Sequence, residues 1–528
     1  MSEYAGIREG IAGQDERPEL ADIARMARRL MRLAVSAARA DDAPLRRLLR
    51  EHFGPDFWAL PVVSGSWRGY DHVNLQAGLD HWLAGPIREH VLIGLTGFRD
   101  PRLGLADLLQ PAAEAAGAGV GSVAMSALPA GPGGLTRACV KCGLYLINDG
   151  GAPMAVLLRG PDERDPGADA SLDVACADQA TAQAVVDEIR RQAIARNVFR
   201  GHVISFGDPM FGHGRGGGGL RFLDRPRLSR DEVVLPADVL DGIERQVVGV
   251  ARHADRLLAG GQHLKRGVLL HGAPGTGKTH TIRYLLGLLP AMTVVVLSGH
   301  GLRWIAEACS VARVLQPSVV VIEDVDLIAE DRGLRTGQHP LLFQLLNEMD
   351  GLGEDIDVTF LLTTNRPELL EAALAARPGR IDHAAELPAP GPEARRKLIA
   401  LYQGALKLDL TDPDDVIKRT DGVTAAFLKE LLRRSALLAA EDAPSGDPDD
   451  PDDPDDPDDP DGPADPADPD GPAGAEPLRV TDAHLSTALD QLLDVRSSLT
   501  RTLLGGRGQD AVIRPMGADA LLQRVRRR

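Results

Sequence analysis

The segment Gly267–Thr279, GVLLHGAPGTGKT, constrains this chain more than any other. It joins a short apolar run to a glycine-rich turn and a Lys-Thr pair, and a helix-patterned stretch, His280–Leu289, follows. A loop that cradles phosphate needs this order. Glycines at 272, 275 and 277 let the backbone enter positive φ and turn successive N–H groups toward one anion. The helix N-terminus adds a favourable dipole. The pattern predicts that Gly272, Ala273, Pro274, Gly275, Thr276, Gly277, Lys278, Thr279 and His280 bind the phosphates of a nucleotide. Lys278 reaches the β- and γ-phosphates, and the Thr279 hydroxyl takes a place on Mg2+.

A second apolar run, Ser318–Ile322, ends in Glu323, Asp324 and Asp326. In a parallel sheet the C-terminal end of such a strand faces the nucleotide crevice. Three acids at one strand end repel one another unless a cation sits nearby. The predicted division of work is that Glu323 holds Mg2+ through its waters and Asp324 polarises the attacking water.

The chain has 528 residues, enough for about three domains. Residues 226–390 alternate strand and helix patterns, the mark of a parallel sheet with helices on both faces. Residues 1–110 are read as a helical region, with apolar spacing over 14–52 and a second helix near His72–Trp82. Residues 111–134 are read as a linker. Strands at Cys139–Ile147, Met154–Leu158 and Ser171–Ala175, a helix at Thr181–Ala195 and a strand at His202–Phe206 make a small α+β unit over 135–211. A Gly-rich linker, 212–225, follows. Beyond 390 a helical segment runs to 500 and is broken by the Asp-Pro tract 441–477. That tract holds 16 Asp/Glu and no Lys or Arg, and the rest of the chain sums to −1 of the net −17. Its acidity therefore says nothing about the partner of the folded body. Proline at every third position blocks helix and sheet, and like charges extend the chain. The tail 501–528 is Arg-rich.

With these motifs in place, the chain resembles the AAA family of ATPases over about 227–500. The resemblance rests on the phosphate loop, Pro317–Asp326, Ile328–Arg332, Leu345–Gly351, Thr364–Pro367 and Arg377–Asp382. Residues 139–316 are similar to the subgroup of mitochondrial complex-assembly ATPases, which also carries Glu-Asp in place of Asp-Glu. The resemblance implies an α/β fold: a P-loop AAA+ large domain, a small helical lid domain and a preceding α+β N-terminal region. It implies ATP and Mg2+ as ligands. Asn365 matches the sensor-1 position that steadies the attacking water. Arg377 and Arg380 match the arginine-finger positions that act on a neighbour's nucleotide, which implies self-assembly into a hexamer or other ring. More loosely, Gly422–Ala425 matches the lid turn that contacts nucleotide, and Val247–Gly249 the adenine contact.

Three departures bear on function. An Asp at the water-activating position has one methylene less reach than Glu. The segment after the strand ending at Ser298 is short, and its aromatic residue, Trp304, is expected to pack beneath a helix rather than grip a polypeptide. Leu374–Arg377 carries one residue more than the usual spacing before the finger.

Other features carry less. Cys139 and Cys142 lie three apart on one strand and so on opposite faces, which does not make a zinc pair. Four cysteines exclude a disulfide scaffold. The opening is polar, and the uncharged run 115–136 is too rich in Gly, Ala and Ser to be a membrane span. The protein is read as cytoplasmic. Residues 1–225 are expected to hold an unidentified protein client, and the Arg tail has too few charges to favour nucleic acid. Two functions remain open: an ATPase that remodels or assembles a protein partner, and a slow nucleotide-gated scaffold.

Overall fold

The computed structural model describes residues 44–96, 104–110, 119–162, 168–206, 220–330, 340–351, 353, 356–370, 380–442 and 477–493. The chain divides into two compact units, 1–199 with 207–221, and 200–206 with 222–528. The helical pattern over 14–43, the Asp-Pro tract 443–476 and the tail lie outside the described residues.

The first unit is built on an antiparallel sheet. Its strands are β1 (Val62–Trp67), β2 (Arg88–Thr96), β3 (Gly119–Gly121), β4 (Ala124–Pro129), β5 (Thr136–Asp149), β6 (Ala152–Arg159) and β7 (Ala170–Ala175). They lie in the order β1-β7-β6-β5-β2-β3, with β4 paired to the first half of β5. Successive residues of β5 point to opposite faces, and both faces are covered. Tyr145 and Ile147 meet Leu75, Leu79 and Trp82 of α2 (His72–Leu83) and Val185 and Ile189 of α4 (Gln179–Ala195). Leu144 and Leu146 meet Leu45 and Leu49 of α1 (Pro44–Phe53) and Leu105 and Leu108 of α3 (Leu105–Leu109).

This corrects the sequence reading of a helical region over 1–110 apart from an α+β unit over 135–211. Strands from both stretches share one sheet, and the supposed linker 111–134 supplies β3 and β4. The edge strand β1, VVSGSW, is too short and polar to announce itself. It is a strand because it pairs with β7.

The second unit holds a sheet in the order β14-β10-β13-β12-β11-β8-β9. Its strands are β8 (Val203–Phe206), β9 (Leu220–Leu223), β10 (Arg266–His271), β11 (Thr293–Leu297), β12 (Ser318–Ile322), β13 (Val358–Thr364) and β14 (His383–Glu386). From β14 to β8 every pairing is parallel. On one face Val268, Leu270 and Val321 pack with Ile243 of α5 (Ala237–Glu244) and Ile282 and Leu285 of α6 (Lys278–Gly287). On the other, α7 (Ile305–Val314) lies on β11 and β12 and packs with α9 (Pro340–Asp350). Residues 318–322 are all buried, as a parallel strand covered on both faces requires.

The strand at 203–206, expected to complete the first unit, instead pairs with β11, Val203 opposite Val294. Its apolar residues fit either sheet, so its partner was not readable from its own composition.

A smaller helical layer follows: α10 (Pro392–Gln403), α11 (Pro413–Arg419), α12 (Ala425–Glu441) and α13 (Asp482–Leu493). Phe427, Leu431, Leu485 and Leu489 form its core. A two-stranded parallel ladder, Lys407–Asp409 with Arg479–Thr481, returns the chain after the Asp-Pro tract to the helical layer.

Candidate active site

Strands β10, β12 and β13 are neighbours, so their C-terminal ends deliver residues 272, 323–326 and 364–365 to one place. After β10 the chain turns through Gly272, Gly275 and Gly277, all at positive φ. At Gly272 a Cβ would lie 2.4 Å from the Leu387 carbonyl oxygen, so only glycine passes. Thr276 Oγ1 donates to the Ala273 carbonyl at 3.0 Å and stiffens the turn. Lys278 is 7% exposed, and its Nζ donates to the carbonyls of Gly272 and Ala273, each at 2.9 Å. Burial holds this ammonium below its ordinary pKa, and the charges of Asp324 and Asp326 act against that. Thr279 is exposed at the first turn of α6.

At the end of β12, Asp324 takes φ +53, a left-handed conformation that costs a non-glycine residue roughly 1 kcal/mol. Its N–H donates to Thr363 Oγ1 at 3.0 Å, which holds the turn in place. Asn365 Nδ2 donates to Asp324 Oδ1 at 3.3 Å. Glu323 is half-buried and its N–H donates to the Leu297 carbonyl. Asp326, buried in the first turn of α8 (Val325–Glu330), accepts from Thr364 Oγ1 at 2.9 Å and from the Asn365 N–H at 3.2 Å.

Two further segments close on the glycine loop. The turn Gly422–Ala425 opens α12, and the Ala426 N–H donates to the Gly275 carbonyl at 3.1 Å. A Cβ on Gly275 would lie 2.8 Å from both Thr424 Oγ1 and Ala426 Cβ, so the lid sits directly on the loop. On another side, His280 Nε2 donates to the Glu232 carbonyl at 3.0 Å, and Val234 packs against the lid core. The stretch 232–234 therefore borders the loop. Val247 and Val248, matched in sequence to the adenine contact, are buried in the large-domain core. Nothing local in sequence marked 232–234, which is brought in by the α6 packing.

The two arginines fare differently. Arg377 lies outside the described residues. Arg380 is 6% exposed, and its Nε and Nη2 donate to the two carboxylate oxygens of Asp350 in the same chain. Trp304, directly before α7, stacks on Phe206 of β8 with ring centroids 6.0 Å apart. In the first unit, Cys142 packs toward α1 and α3 while Cys176 packs toward α2 and α4, so these thiols do not converge.

Residues 268–389, which contain the glycine loop, the acids after β12, Asn365 and Arg380, match the family model described as "ATPase family associated with various cellular activities (AAA)". The chain carries an AAA ATPase domain. The chain is 34% identical over 217 residues to an ATP-dependent zinc metalloprotease FtsH 2 of Symbiobacterium thermophilum, covering 38% of this chain and 37% of that one. It is 35% identical over 188 residues to a proteasome-activating nucleotidase of Methanosphaerula palustris, covering 33% and 45%. It is 31% identical over 233 residues to an ATPase family gene 2 protein homolog A of Homo sapiens, covering 42% and 26%. The chain thus spans less than half the length of these relatives.

The AAA domain's own groups fit a nucleoside triphosphate with Mg2+. Around Gly277 a Cβ would meet nothing within 4 Å, which leaves room at the loop's mouth. A buried ammonium hydrogen-bonded to loop carbonyls is ready to exchange them for phosphate oxygens. Thr279 and Glu323 supply the hard oxygen donors that Mg2+ prefers. Among the described residues no helix is long and apolar enough to cross a membrane.

Proposed function

We propose that the AAA domain binds ATP with Mg2+ and hydrolyses it to ADP and phosphate. The observation that carries this reading is the convergence of Lys278, Asp324 and Asn365 at the ends of three adjacent strands. Lys278 and the loop N–H groups hold the β- and γ-phosphates, with His280 and the 232–234 segment bordering them. Thr279 and, through water, Glu323 hold the metal, which when bound neutralises phosphate charge. Asp324 takes the proton of the attacking water, and Asn365 orients that water beside the γ-phosphate. Arg377, and in the family pattern Arg380, belong to the cross-subunit part of this reading, in which a neighbouring copy completes the pocket of a ring.

The proposal extends to a wider role. Hydrolysis is coupled to remodelling or assembly of a protein partner engaged by residues 1–225, in the cytoplasm. A second reading, a slow nucleotide-gated scaffold, is favoured by two observations: the shorter Asp at position 324 and the engagement of Arg380 within its own chain.

Steady-state ATP turnover of the full chain, with its oligomeric state measured by light scattering with and without ATP and Mg2+, separates them. Turnover well above that of Lys278→Ala, together with ring formation, supports the enzyme. Rings that assemble with ATP while turnover stays at the level of that variant support the scaffold. Absence of any nucleotide binding removes both.

A further inference from the structure

Asp326 has no part in the division of work between Glu323 and Asp324, yet it is the most buried of the three acids, 8% exposed. Two hydrogen bonds end on its Oδ1, and both come from neutral groups at the end of β13: the Thr364 hydroxyl at 2.9 Å and the Asn365 N–H at 3.2 Å. Because the Thr364 hydroxyl donates to Asp326, its lone pair is left to accept the Arg366 N–H, at 3.0 Å. The peptide on each side of Asn365 is therefore held by a chain of bonds that starts at Asp326. The Asn365 side chain can then leave the backbone in one direction, and that direction ends on Asp324 Oδ1.

We infer that Asp326 is a positioning residue for the ATPase reaction proposed above: it locks the Asn365 backbone so that the Asn365 amide meets the attacking water beside Asp324. The inference rests on that proposal. A side chain that orients a water must be held to within about half an ångström, and a strand end followed by a turn does not supply this unaided. Asp326 sits on α8, one residue beyond Val325, so it also couples the end of β12 to the end of β13. Both acceptor roles fall on one oxygen, so an amide oxygen in its place preserves the geometry and discards only the charge.

The test compares wild type, Asp326→Asn, Asp326→Ala, Asn365→Ala and the Asp326→Ala/Asn365→Ala double variant in the full chain. Three quantities are measured: affinity for an ATP analogue with Mg2+, kcat and KM for ATP, and the thermal midpoint. The expected result is nucleotide affinity within about threefold of wild type throughout, since the phosphate loop is untouched. The kcat of Asp326→Ala falls at least about tenfold, that of Asp326→Asn is rescued to within about threefold of wild type, and the double variant is no slower than Asn365→Ala, as coupled sites require. Wild-type kcat in Asp326→Ala overturns the inference. So does a loss in Asp326→Asn equal to that in Asp326→Ala, or multiplicative losses in the double variant. Should Asp326→Ala not fold, Thr364→Val removes one of the two donors, and an unchanged kcat there overturns the inference equally. A wild-type chain that binds no nucleotide sinks the ATPase proposal instead, and the affinity measurement tells the two failures apart.

Discussion

Asn365 and Asp324 meet at the ends of neighbouring strands, amide nitrogen to carboxylate oxygen at 3.3 Å, although 41 positions separate them in the chain. The contact places a neutral donor and an acid on the same side of the glycine loop. It also fixes the orientation of the Asn365 amide, because the nitrogen faces Asp324 and the oxygen is directed elsewhere.

Asp324→Asn is expected to lower ATP turnover on the order of 1,000-fold while leaving nucleotide binding intact, because it removes a proton acceptor and little else. Asn365→Ala is expected to cost on the order of 100-fold in kcat. Single-turnover kinetics with separate binding measurements check both. Full turnover in Asp324→Asn would remove that residue from the reaction.

Gly275→Ala tests the seating of the lid on the loop. The new methyl would lie 2.8 Å from Thr424 Oγ1 and Ala426 Cβ, at a φ of +80 that alanine resists. Displacement of the 424–426 turn should weaken ATP affinity on the order of tenfold, read by titration calorimetry. Unchanged affinity would mean that the lid turn does not contribute to the nucleotide pocket.

Arg380 and Asp350 predict an asymmetric stability effect. Asp350→Ala strands a buried guanidinium and should cost about 2 kcal/mol, discounted because the Asp350 side chain is 49% exposed. Arg380→Ala leaves behind a carboxylate that water can reach, and should cost less. Denaturant midpoints decide the order. If Arg380→Ala proves the costlier, packing of the arginine outweighs the ion pair.

In the first unit, two adjacent groups titrate in opposite senses. Burial pushes the His72 imidazole down to about 4, and burial raises the Asp71 carboxyl to about 6. For His72 the folded pKa lies below the unfolded value, so its contribution is full above pH 6.5 and is lost as pH falls toward 4, about 3 kcal/mol in all. For Asp71 the folded pKa lies above the unfolded one, so stability is gained as pH falls from about 6 toward 3.8. The two offset each other over the shared range. Asp71→Asn removes the gain while an amide oxygen can still accept from Asn74. Thermal melts between pH 7 and 4.5 should then fall more steeply than in wild type. An identical slope would show that Asp71 is not protonated in that range.

Much of the second unit was legible because its signals are local. The glycine loop needs only consecutive residues to declare strand, turn and helix, and Ser318–Ile322 reads as a doubly covered strand on its own. The first unit was harder. Its strands are short and antiparallel, and the β1 pattern gains meaning only from Leu172 and Val174 across the ladder. Residues 203–206 show the same limit, since a four-residue apolar strand carries no label for the sheet it joins. Arg380 shows it at the level of a side chain: the motif names the position, but only packing against Asp350 shows where the guanidinium goes.

By itself, then, the order of amino acids determined that residues 267–279 run from strand through a glycine turn into a helix, because backbone curvature and helix start there depend on contiguous residues. Tertiary structure alone decided that Asp326 grips Thr364, that 232–234 borders the loop, and that Thr424 rests on Gly275. These contacts join segments tens to more than a hundred residues apart. They exist only once the strand order has brought those segments side by side, and no short-range pattern in the chain encodes that order.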